Sequence, residues 1–183
     1  MGRIVLGAER GGERRYRPSP WDLTHRQLSV PDALLDRMDI AQALAVIDRL
    51  WSAPLPRQHA RTDTGTAGPG WEVAELETSE DFWEDCSRRE EAREQVECDR
   101  EALAARLAER WGPPQTFGLY SVLERTMEGE ELAEPWASLS GHVVDLTVWR
   151  HEEAGRWTGL GISQWDAELP FQLLAVVTDQ DPP

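Results

Sequence analysis

A handful of residues have the types and spacing that chemistry requires. His142 and Asp145 stand three apart, His151-Glu152-Glu153 is a local cluster, and Ser163 closes the run Gly159-Leu-Gly-Ile-Ser163. A divalent metal would need convergent imidazole and carboxylate ligands. Successive strand residues point to opposite sides, so positions i and i+3 of one regular strand cannot share an ion. Cys-x-x-Cys, His-Glu-x-x-His and calcium-loop patterns are absent from the sequence, so neither a metal nor a cofactor is expected. Ser163 lacks the Gly-x-Ser-x-Gly frame of a nucleophile elbow. Cys86 and Cys98 lie among acids, which disfavour the reactive thiolate. The chain therefore leans toward a non-enzymatic reading, with an enzyme left open.

The elements that would carry these residues lie near the C-terminus. Residues 142–150 and 156–164 alternate apolar and polar with period two, and the loop between them ends at Gly155, a hairpin signal. Pairing Arg150 with Arg156 sets Val148 opposite Thr158, Leu146 opposite Leu160 and Val144 opposite Ile162, so that one face is apolar throughout. The other face then shows Trp149 opposite Trp157, Thr147 opposite Gly159, Asp145 opposite Gly161 and Val143 opposite Ser163. Two glycines beside an aromatic pair would form a shallow notch with Trp165 near one end. Either a helix packs there or the notch is a recognition surface. The run 170–178 is apolar on both sides and reads as a strand inside the sheet.

Upstream, Asp39 to Trp51 reads as a helix, with Ile40, Leu44, Ile47 and Trp51 at helical spacing and Pro54 and Pro56 behind; its start is open, because Ser29-Val-Pro-Asp32 has the form of a capping box that would begin one helix, or two in series, near 31. Residues 57–70 read as a loop and 71–76 as an edge strand. Thr78 or Ser79 is placed to cap a long helix to Trp111, ended by Gly112-Pro113-Pro114. Its apolar stripe fails between 88 and 102, where Arg89, Arg93 and Arg100 take its place; a solvated middle or a polar partner is expected there. Residues 116–125 read as a strand. The expected fold class is α+β: an antiparallel sheet of about five strands with two main helices packed on one face.

Composition bounds the partners. The 183-residue chain has a net charge of −15, and all 19 of its basic residues are Arg. Residues 1–37 hold seven Arg against five acids, and are expected to be a mobile basic arm before a single acidic domain, 38–183. Met38 could also be the native start. The acidity opposes nucleic-acid binding. The absence of an 18-residue apolar run argues against a membrane partner. On one helix Cys86 and Cys98 would be about 18 Å apart, too far for a disulfide; two free thiols suit a reducing cytoplasm. Residues 71–101 carry thirteen acids against four Arg, and Glu84, Asp85, Glu90, Glu91, Glu94 and Glu97 suggest an acidic helix face able to meet a basic protein.

The segments Leu107-Ala-Glu-Arg-Trp-Gly-Pro-Pro114, Trp157-x-x-Leu-Gly-Ile-Ser-Gln164 and Glu168-Leu-Pro-Phe-Gln-Leu-Leu174 resemble small acidic proteins of actinobacteria, and through them the α+β immunity proteins of bacterial toxin systems. The resemblance spans about residues 38–180 and carries no catalytic residue. It implies an immunity- or antitoxin-type inhibitor of a basic effector. No site transfers with it; the acidic helix face and the hairpin notch themselves supply the expected contact residues Glu84, Asp85, Glu90, Glu91, Glu94, Glu97, Asp145, Trp149, Trp157 and Trp165. Two other readings stay open. One is a small-ligand or enzyme domain with a pocket between helices and sheet, rimmed by Asp145, His142 or Ser163. The other is an adaptor that self-associates through a Trp-rich face. The oligomeric state is left open.

Overall fold

The computed structural model describes residues 38–83 and 86–183. The expected basic arm, with Glu84 and Asp85, lies outside the described residues. Helix α1 (Ile40–Ser52) is started by Asp39, whose Oδ1 accepts from the backbone N–H groups of Ala41 (2.9 Å) and Gln42 (3.1 Å). Seven strands follow: β1 (Ala60–Thr62), β2 (Gly65–Gly68), β3 (Trp71–Thr78), β4 (Gln115–Gly118), β5 (Val143–His151), β6 (Arg156–Ser163) and β7 (Gln172–Thr178). Helix α2 (Arg89–Trp111) joins β3 to β4, and α3 (Tyr120–Met127) and α4 (Trp136–Ser140) join β4 to β5. All pairings are antiparallel, in the order β1-β2-β3-β7-β6-β5-β4. The doubly apolar run thus forms β7, in the middle of the sheet.

Helices cover both faces. Ala74, Trp149, Leu160, Leu173, Ala175 and Val177 face α1 and α2, packing on Ile47, Leu50, Val96, Leu103 and Leu107. Trp71, Val73, Leu146, Val148, Leu174 and Val176 form a second core with Leu119, Val122, Trp136 and Leu139 of the α3–α4 layer. The two long helices do share a face. Two counts are corrected among the described residues: β1 and β2 bring the expected five strands to seven, and α3 and α4 add a second layer to the expected two helices.

The hairpin register also differs. Val143 pairs with Ser163 as expected, but Leu146 pairs with Gly161, Val148 with Gly159, Trp149 with Thr158 and Arg150 with Trp157. Val144 and Asp145 together stand opposite Ile162, a β-bulge that advances the rest of β5 by one residue. The expected register rested on one apolar face, a criterion that loses force when both faces are buried. Trp149 and Trp157 therefore lie on opposite faces, in the first and second cores. The notch is filled from within the sheet. A Cβ on Gly161 would stand 2.5 Å from Leu146 Cδ2 and 3.0 Å from Val143 Cγ1.

Three further boundaries move. Residues 57–70 hold the β1–β2 edge hairpin, which buries only Ala67 and Gly68 and so lacks an apolar alternation to announce it. Ser79 caps no helix. It pairs with Phe171 through backbone N–H to O (2.9 Å), and its Oγ accepts from Phe171 N–H (3.0 Å), so α2 starts ten residues later, after a short 3-10 turn at Cys86–Arg88. The expected strand 116–125 ends at Gly118 and turns into α3. Leu119, Val122 and Leu123 fit helical spacing as well as Phe117 and Leu119 fit alternation, and the buried positions are Leu119 and Val122.

Candidate functional site

The α3–α4 layer packs on the middle of its sheet face and leaves the β1–β2 edge open. A groove of about 690 Å³ is left there. Trp71, Val73 and Leu174 form an apolar floor, with Thr66 toward the edge, and Pro135 and Leu139 of the α4 segment form one wall. His59 and Arg61 of the edge hairpin form the other, and His142, Trp165 and Gln172 close one end. Local backbone demands shape the floor. Gly70, at φ 81°, makes the tight turn between β2 and β3. Gly68 leaves room for the Trp71 indole, because a Cβ there would lie 2.5 Å from the ring. The Trp71 Nε1–H is buried without an acceptor, and His59 meets the same ring edge-on at 6.0 Å.

At the closed end, the His142 ring stacks on Trp165 with centroids 3.9 Å apart and planes 17° from parallel. Its Nδ1 is 2.8 Å from Ser163 Oγ. Burial pushes the His142 pKa below the ordinary histidine range, favouring neutral imidazole. Ser163 is fully buried, so its hydroxyl is enclosed by the fold and serves to orient the ring. On the α4 side, Glu134 accepts from Ser138 through both its backbone N–H (3.1 Å) and its hydroxyl (2.7 Å), which holds that carboxylate to the helix start. The groove thus offers aromatic faces, an apolar floor and a few oriented polar groups, features of a small-molecule site. Among the described residues no group of three or more His, Cys, Asp or Glu could hold a metal ion.

Among the described residues, only Glu97 and Asp145 of the expected site come together, in a concavity against α2; the others are scattered. Glu90, Glu91 and Glu94 are exposed on α2, with Glu91 3.6 Å from Arg88, while Glu97 is bonded to Arg93 at 3.0 Å. Asp145, re-aimed by the bulge, meets Arg100 at 2.9 Å on the α1–α2 side of the sheet. Trp149 is buried and donates to Gly112 O (3.0 Å); it packs with Trp111, which with Trp51 also encloses His151. Trp157 is half-buried on the opposite face and donates to Asp181 (3.0 Å). Of the eight that lie among the described residues, Trp165 alone lines the groove, and it stays 64 % exposed. Of the three rim residues of the pocket reading, His142 lines the groove, Ser163 supports it from behind, and Asp145 lies elsewhere. His59, Arg61 and Glu134 carried no signal, because the groove exists only once the edge hairpin is formed.

Both cysteines are free and exposed. Among the described residues no helix is long and apolar enough to cross a membrane. No protein-family model, curated protein or solved structure matches this chain.

Proposed function

We propose that this protein binds a planar aromatic small molecule in the groove beneath the β1–β2 hairpin. The observation that carries this reading is the aromatic-rimmed, apolar-floored concavity of about 690 Å³ on the uncovered end of the sheet, a size within the range of drug-sized ligand sites. Trp165 and His142 present a stacked pair at one end, and His59 with Trp71 an edge-on pair on the other side, so a flat ring meets aromatic surface at both. The role is binding. Ser163 is enclosed, and the Glu134 carboxylate is occupied by Ser138.

Isothermal titration with quinoline, indole and adenine tests this. At least one should bind saturably to the full chain. Trp165→Ala should weaken it about tenfold, the scale of one aromatic contact. Thr66→Phe, at an exposed floor position, should abolish it by filling the groove. Binding that survives Thr66→Phe unchanged, or none to any of the three, would refute the reading.

A second reading is an immunity-type inhibitor of a basic protein. It is supported by the exposure of Glu90, Glu91 and Glu94 along α2. It requires a stoichiometric, salt-sensitive complex with one basic protein, lost when these three become Gln.

A further inference from the structure

The arginines that interrupt the apolar stripe of α2 line a separate concavity of about 350 Å³ on the other face of the sheet. Arg89, Arg93 and Arg100 converge there from one side of α2, spaced one and then two turns apart, beside Glu97 and Asp145. In a chain of net charge −15, three guanidiniums against two carboxylates make a local excess of one positive charge. The arginines are held in place. Arg89 lies over the Phe171 ring, 5.5 Å from its centroid, and its Nη2 donates to Gln164 Oε1 at 2.8 Å. Gln164 is itself anchored, its Nε2 donating to Leu169 O at 3.0 Å. Arg93 donates through Nε to Glu97, and Arg100 through Nη1 to Asp145 at 2.9 Å, so each keeps N–H groups beyond that bond. The Nε–H of Arg89 is buried and has no acceptor among the described residues, the kind of donor for which a bound group would supply the acceptor. Ile162, Val144 and Phe171 give the same cavity an apolar side.

We infer that this cavity is an anion site for a small organic monocarboxylate. One negative charge neutralises its lining, where a phosphate dianion would overshoot. A carboxylate matches the planar guanidinium fork, and the apolar side accepts a short hydrocarbon or aromatic body. This site opens on the opposite face of the sheet and shares only His142 with the groove.

The test is calorimetric titration of the full-length protein with benzoate at fixed ionic strength, with chloride and inorganic phosphate as comparators. Benzoate should bind saturably and more tightly than either. Arg93→Gln, at a half-exposed position, should weaken it about tenfold, as expected for one charge-assisted hydrogen bond. Glu97→Gln removes a competing carboxylate and should tighten it, and Thr66→Phe, which fills the other groove, should leave it unchanged. Circular dichroism of each variant confirms the fold. Four results would overturn the inference: no saturable benzoate binding; binding insensitive to Arg93→Gln; phosphate binding as tightly as benzoate; or loss of benzoate binding in Thr66→Phe.

Discussion

Replacing Gly161 by Ala probes the packing inside the sheet more sharply than any change of a larger side chain. The added Cβ would sit 2.5 Å from Leu146 Cδ2 and 3.0 Å from Val143 Cγ1, both on fully or almost fully buried residues. Ordinary carbon contacts lie near 3.5–4.0 Å, so Leu146 must retreat by about 1 Å inside a close-packed layer. Overpacking of this kind costs about 1–3 kcal/mol, and the relief of glycine's backbone entropy returns about 0.5–1 kcal/mol. Gly161→Ala should therefore destabilise by about 1–2 kcal/mol. At Gly159, two residues earlier on the same face, the nearest atom is Val148 Cγ1 at 3.4 Å, which a small shift accommodates. Gly159→Ala should be neutral within about 0.5 kcal/mol. Urea unfolding followed by tryptophan fluorescence reads both through the midpoint at constant slope. Leu146→Val supplies the double-mutant cycle. It should cost less in the Gly161→Ala background than in wild type, because the clash and the removed methyl coincide. Equal midpoints for the two glycine variants, or strict additivity with Leu146→Val, would refute the register and the filled notch.

Acidification should weaken the fold in a defined window. Burial lowers the pKa of both His142 and His151, so below the unfolded histidine value of about 6.5 the unfolded chain binds protons that the folded one resists. Stability is full above that pH and falls as pH drops below it, ahead of carboxylate protonation. The urea midpoint should be lower at pH 5.5 than at pH 7.5, and His151→Gln should reduce the difference; a midpoint flat across that range would contradict the assignment. Arg156 Nη1 donates to the carbonyls of Trp51 and Ala53, each at 2.9 Å, and so ties the end of α1 to β6. Arg156→Ala should cost about 1.5–3 kcal/mol by the same assay, and a loss below about 0.5 kcal/mol would show that the tie contributes little.

Much of the scaffold was legible in the sequence, and the departures share causes. α1 announces itself by helical spacing, though not by its start, and β7 by a run apolar on both faces. The same double burial hid the hairpin register: once β5 and β6 are covered on both sides, apolar alternation no longer says which residue faces which layer, and the bulge at Val144–Asp145 has no apolar signature. α3 is not distinguishable from a strand in the sequence, because Phe117 to Leu123 is too short to separate a period of two from one of 3.6. The candidate site was the least legible part. Trp165 and His142 stood out by type, yet the groove they close is built by β1 and β2, an edge hairpin with almost no apolar content. The long-range pairing of β3 with β7 sets Trp71 on its floor. The acidic residues that dominate the composition stay mostly on the surface, several paired with neighbouring arginines.

The central claim, a ligand groove beneath the edge hairpin, is tested most directly through the tryptophan indole N–H signals in a nitrogen-15 correlation spectrum during titration with quinoline. The Trp71 and Trp165 signals should move together and saturate. That of Trp149, buried on the opposite face and bonded to Gly112 O, should stay fixed. Movement of Trp149 with Trp71 and Trp165 unmoved, or no saturable shift of any indole, would contradict the account.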